Sequence, residues 1–367
     1  MIYEKDMFVQ DKLDDSKPHL MSTGAIGLAN YLSYFFPHST PLETKFIAVG
    51  VTVLTVILLY RRINSVAKIS TILWGGMILT VVLIIGTALM HFNPSLAFDF
   101  PKNAFEPASF FTGLGAGMLL SIYDYLGYFT SCYLGDEVKD PGRTLPRVVT
   151  LSILLVALID LLMNIGIIGV VPWQEAMKSG NIGTLFMERI WGTPGAVIIT
   201  ILIVWTCFAS VFNGLLGASR LPYNAAKDGL FFKPFAKLHP KYHFPNVSLL
   251  ILGAIMAICC FFDLTTIINA LMALTIVIQF MGQIVALTVL RKRRPDLKRP
   301  YKQWLYPLPS ILAFIGWAFV FYSSGWSAIG LAVVWTVIGA IIYLFWARKH
   351  QDWPFSKPVI VETNKEI

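Results

Sequence analysis

Ten runs of mostly apolar residues follow one another along this chain, at 21–36, 46–60, 70–91, 108–135, 147–171, 194–218, 248–262, 265–290, 306–323 and 327–347. A helix needs about 20 such residues to cross a hydrocarbon core of roughly 30 Å, and a soluble core has no use for ten of them in series. Barrel strands would place a polar residue at every second position, whereas stretches such as "VTVLTVILLY" and "ILTVVLIIG" are apolar throughout. With 56% of residues hydrophobic, 14% charged and a mean hydropathy of +0.66, the whole chain fits one class. It reads as an all-α, polytopic membrane helical bundle.

The formal charge of +8 raises the question of a polyanionic partner. With a cytoplasmic N-terminus, the inward segments are residues 1–20, "RRINSVAK", "DEVKDPGRTLPR", 219–247, "RKRRPDLKRPYKQ" and the tail from residue 348. They hold 25 of the 29 Lys and Arg residues, and only Lys45, Lys102, Lys178 and Arg189 fall outside. This is the positive-inside bias, so the charge orients the chain and no nucleic acid partner is expected. The polar residues 1–20 form a cytoplasmic segment with no cleavable signal, 21–347 the membrane domain, and 348–367 a cytoplasmic tail. Location in the plasma (inner) membrane with both termini cytoplasmic follows.

Cys132, Cys207, Cys259 and Cys260 lie in apolar runs without redox or zinc spacing, so neither a disulfide nor a metal is expected. His239 and His243 in "HPKYH" are four apart, but Pro240 and Pro245 argue against a helix there, and a solvated loop is expected. No phosphate loop, nucleophile elbow or zinc-protease motif occurs, so neither an enzyme nor a cofactor is expected. Trp173, Trp191, Trp304, Trp326 and Trp353 fall near span ends, where indoles favour the interface.

The run 108–135 is the anomalous one. Its 28 residues would make an unbroken helix of about 42 Å, well beyond the hydrocarbon thickness. A break is expected at Gly127, while Gly113, Gly115 and Gly117 read as a small-residue face for close helix packing. Asp124 stands three residues before the break. An intramembrane acid costs roughly 2.5–3.5 kcal/mol on insertion scales, so it faces a cavity, a partner or a substrate. At a break, freed carbonyls and helix ends also hold polar groups and ions. A second intramembrane polar pair, Asp160 and Asn164, shares one helix face at a spacing of four and reads as an interhelical hydrogen bond.

The segment "YDYLGYFTSCYLGDEVKDPGRTLPR" resembles the sixth helix and following loop of the amino acid-polyamine-organocation permeases, with Tyr125, Gly127, Glu137, Pro141, Arg143 and Pro146 on the motif. "FASVFNGLLGASRLPYNAAKDGLFFKPFAKLHP" is similar to the family's eighth helix and its cytoplasmic end, through Ser219, Arg220, Tyr223, Asp228 and Gly229. "LRKRRPDLKRPYK" looks like the basic loop after the tenth. The resemblance covers residues 21–347 and implies a leucine-transporter-like fold of two inverted five-helix repeats, with a substrate site beside two broken helices. It also implies that the ten runs match the family's third to twelfth helices. The family's glycine-rich broken first helix has no counterpart in the 367 residues, and a truncated gene model or disrupted gene is expected rather than a ten-helix variant.

The implied activity is secondary transport of an amino acid or related small amine, including polyamines, by alternating access. The alternative is a non-transporting permease remnant or membrane partner subunit. Tyr123, Asp124, Tyr125, Leu126 and Gly127 would line the site, with Ser210 and Asn213 on the flanking core helix or serving packing alone. Asp124 either binds a substrate ammonium, carries a coupling proton, or accepts tyrosine hydrogen bonds and caps the second half-helix. The lysine that many proton-linked members carry in the fifth helix would fall near Gly75, and no Lys or Arg occurs there. Partners are thus a small-molecule substrate, membrane lipid, and a coupling proton or cation.

Overall fold

The computed structural model describes residues 17–36, 38, 40–61, 63–101, 104–125, 127, 140–229, 231–262, 272–296, 303 and 305–350. Every apolar run carries a helix, and no strand occurs among the described residues. In chain order they are α1 (Lys17–Leu32), α2 (Pro41–Leu59), α3 (Ile63–Met90), α4 (Pro107–Asp124), α5 (Pro141–Ile168), α6 (Ile182–Lys227), α7 (Asn246–Cys259), α8 (Gly282–Arg293), α9 (Leu308–Ser323) and α10 (Trp326–His350). Six helical stretches are long and apolar enough to cross a membrane, and Pro107–Ile122, Asn246–Cys259 and Leu308–Ser323 are shorter apolar helices. The chain is a multi-pass helical membrane bundle.

Local chemistry sets the helix ends. Thr40 caps α2 with a complete capping box, its hydroxyl accepting from the Glu43 N–H while the Glu43 carboxylate accepts from the Thr40 N–H at 2.7 Å. Pro41 and Pro141 open α2 and α5 at the first turn, where a missing N–H costs nothing. Gly229, at φ 74, closes α6 in the left-handed region that only glycine enters freely. A wide i→i+5 turn, Ile276–Met281, leads into α8.

The 46 residues of α6 are two helices. Gly192, at φ 66 and ψ −162, breaks the rod, and residues 182–191 fold back along the start of the longer leg. The fold-back is held by a 2.8 Å hydrogen bond between the Thr184 and Thr200 hydroxyls. A Cβ on Gly183 would run into Ile203, which is how closely the two legs approach. Apolar spacing places the second leg as a span from 194 but gives no sign of this return leg.

The longer leg of α6 is the hub. Ala209, Val211, Phe212, Leu215 and Ala218 are buried with Ala25 and Ala29 of α1, Ala48 and Leu59 of α2, Val66 and Leu73 of α3, and Leu249, Leu252 and Met256 of α7. The return leg buries Phe186 and Met187 against Ile84 and Ala88 of α3, with Val170 and Val171 past the end of α5. Helix α4 packs mainly on α9, where Leu119 meets Val320, Met272, Ile276 and Phe280. Among the described residues, Gly115 is the one of the three α4 glycines that makes the expected close approach, under Ser323; Gly113 and Gly117 meet none within 4 Å.

Candidate functional site

Helix α4 stops at Asp124 although its apolar run continues to residue 135. Tyr123 lies in the last turn, and the Tyr125 N–H closes the end by donating to the Ile122 carbonyl at 3.1 Å. Gly127 follows at φ 118, a conformation strained for any L side chain, so the chain cannot continue as a helix through it. The break therefore comes where the glycine and acid predicted it. Asp124 is exposed and Tyr125 half-buried. The Asp124 carboxylate is close enough to Asp160 of α5 to interact with it electrostatically. An acid beside a helix end can hold a cation, an ammonium group included.

Asp160 and Asn164 depart from expectation. Asn164 Nδ2 donates to the Asp160 main-chain carbonyl at 2.9 Å, one turn back on its own helix, rather than across to a neighbour. An amide at i+4 reaches that carbonyl without any partner helix.

On α6, Asn213 Oδ1 accepts a hydrogen bond from Ser70 Oγ of α3. This contact begins a polar seam between the two helices. Trp205 Nε1 donates to the Leu73 carbonyl at 3.2 Å and its ring covers Gly76. Thr206 donates to Thr80 Oγ1 at 3.1 Å, and Thr80 to the Leu202 carbonyl at 3.3 Å. Ser210 is exposed and takes no part, and neither it nor Asn213 is bonded to Asp124. Gly75, where a coupling lysine would fall, has nothing within 4 Å of a built Cβ. Ser70, Trp205 and Thr80 escape sequence reasoning because their partners lie more than 120 residues away.

Within the loop motif, Pro141 and Arg143 sit in the first turn of α5 and Pro146 in its second. Leu126 and Glu137 lie outside the described residues, as do Cys132, Trp304 and Trp353. In the eighth-helix match Ser219 is buried with its hydroxyl on the Leu216 carbonyl at 2.9 Å. In the basic stretch Arg291 stacks over Tyr306 at 3.9 Å and Arg294 pairs with Asp296 at 3.1 Å. The His239–His243 segment is a built turn: the His239 ring stacks on Tyr242 and Phe244, and its Nδ1 accepts from the Lys241 and Tyr242 N–H groups at 3.2 Å.

Residues 18–348 match the family described as amino acid permease. The branched-chain amino acid permease BcaP of Bacillus subtilis is 26% identical over 293 residues, covering 80% of this chain and 62% of that protein. The cystine/glutamate transporter of Homo sapiens is 27% identical over 310 residues, 82% of this chain and 61% of that protein. The large neutral amino acids transporter small subunit 2 of Mus musculus is 29% identical over 346 residues, covering 89% and 63%. The chain thus spans about three fifths of the length of these relatives.

Proposed function

The chain belongs to the amino acid permease family, and we propose that its residues 21–347 act in the secondary transport of an amino acid or related small amine by alternating access. The observation that carries this reading is the break at Asp124–Gly127: a helix end, an acid and a glycine-only conformation inside an apolar run. A soluble or purely structural bundle has no reason to place an acid there, at a cost of roughly 2.5–3.5 kcal/mol. Tyr123, Asp124, Tyr125, Leu126 and Gly127 line the substrate site, and the Asp124 carboxylate takes the substrate ammonium or a coupling proton. Asn213, held by Ser70, belongs to the static wall beside it, together with Ser210. Pro141, Arg143 and Pro146, within the first two turns of α5, belong with Glu137 to the loop motif that leads into that helix.

The two-repeat architecture of leucine-transporter-like carriers accounts for a broken helix within a packed scaffold. The plasma membrane is the proposed location, and the Lys and Arg distribution supports cytoplasmic termini. The relatives named above carry amino acids according to their names, which supports an amino acid over other small amines.

Uptake decides the matter. A form that also carries the family's broken first helix, reconstituted in liposomes and offered a panel of radiolabelled neutral, acidic and basic amino acids and polyamines, is expected to accumulate at least one saturably. Binding without accumulation would instead favour a non-transporting partner subunit, and neither binding nor uptake across the panel would overturn the assignment.

A further inference from the structure

Helix α5 carries a stripe that transport does not explain. Its 28 residues make a rod of about 42 Å, of which residues 148–168, about 32 Å, match a hydrocarbon core. Arg147 therefore stands at the hydrocarbon edge, and Arg143 one turn further out, in the headgroup layer. Four residues rotate a helix by only about 40°, so both guanidinium groups lie on one face. That face continues inward as Leu151, Leu154, Leu158, Leu161 and Ile165, all exposed at 41–68%. Asp160 lies on the other side of the rod, about 140° round from the middle of the stripe.

A groove of about 500 Å³ runs along this stripe, lined by Arg143, Pro146, Arg147, Thr150, Leu151 and Leu154. Neither arginine has an ion pair or hydrogen-bond partner among the described residues. Two unpaired cationic forks above a ladder of exposed leucines match one ligand chemistry: a phosphate monoanion carried on acyl chains. A free phosphate would account for the arginines and leave the leucines without a role.

We propose that the start of α5 is a binding site for an anionic phospholipid, with the headgroup phosphate held by Arg143 and Arg147 and an acyl chain lying along Leu151 and Leu154. Basic clusters at the ends of membrane helices attract anionic lipids at roughly 1 kcal/mol per residue, which for two arginines is a preference of about thirtyfold over a zwitterionic lipid.

The test is retention of lipid by the full chain, purified from micelles containing equal phosphatidylglycerol and phosphatidylcholine, read by native mass spectrometry. Wild type is expected to retain one more phosphatidylglycerol than the double variant Arg143→Gln/Arg147→Gln, and 10 mM inorganic phosphate is expected not to strip it. Arg143→Lys/Arg147→Lys should keep most of the preference, and Lys178→Gln should leave the count unchanged. An unchanged count in the Gln variant overturns the proposal, and so does full displacement by phosphate, which would mark a simple anion site. Should the Gln variant fail to fold, wild type alone decides: phosphatidylglycerol bearing a photoreactive acyl group is expected to cross-link within residues 147–158, and cross-links elsewhere only would overturn the site.

Discussion

Trp205 of α6 donates its indole N–H to the Leu73 carbonyl of α3 at 3.2 Å while its ring covers Gly76, so closely that a Cβ at Gly76 would overlap the indole. The contact locks two long helices at one register, one turn from the Thr80–Thr206 bond and two from Ser70–Asn213. Gly76→Ala should force the indole off its site and destabilise the protein by about 1–3 kcal/mol, the usual cost of overpacking. Gly75→Ala, with open space around it, should be silent. Thermal unfolding in detergent compares the two, and equal melting temperatures would contradict the lock.

Asp124→Asn separates the roles proposed for this acid. If the carboxylate holds a substrate ammonium, exchanging a charge-assisted bond for a neutral one should raise the apparent Kd about 5- to 30-fold. If it carries the coupling proton, the same change should flatten the pH dependence of uptake and leave exchange nearly intact. Uptake with wild-type affinity and wild-type pH dependence would restrict Asp124 to holding the helix end.

Gly127→Ala tests the backbone rather than the side chain. A built Cβ meets nothing within 4 Å, so the whole penalty comes from φ 118, about 1–3 kcal/mol. Transport should fall with the fold retained. Gly117→Ala, also in open space and inside α4, should leave uptake at wild-type level. Equal activity in the two variants would mean that the break needs no glycine.

The Lys and Arg distribution predicts sidedness. Single cysteines at Asn181 and Lys292, in a background without the native cysteines, should differ in intact cells: an impermeant thiol reagent should reach position 181 alone. The opposite pattern would invert the topology.

Much of this was legible in the sequence, and the reasons differ from place to place. Apolar runs mark helices because burying a backbone in lipid demands internal hydrogen bonding, so all ten runs became helices. Gly127 could be anticipated because an acid and a glycine together conflict with an unbroken span. The Ser70–Asn213 bond could not, since 143 residues separate its partners and each alone reads as ordinary packing. The return leg 182–191 was hidden by its ten-residue length, too short for a span, and by Glu188 and Arg189, which interrupt its apolar residues. Asn164 misled because spacing alone does not distinguish a bond across helices from one to the same helix's own carbonyl.

The hairpin of α6 carries one more consequence. Its short leg is pinned at Thr184–Thr200, wedged by Ile203 over Gly183, and stoppered by Phe186 and Met187 between α3 and the end of α5. A leg fixed at so many points cannot swing. That pole of the molecule is held fast, whereas α4 ends short at Asp124 and rests on α9 through Phe111, Gly115 and Leu119; on the reading proposed above, the movement that carrying a cargo demands falls to that helix end rather than to the hairpin.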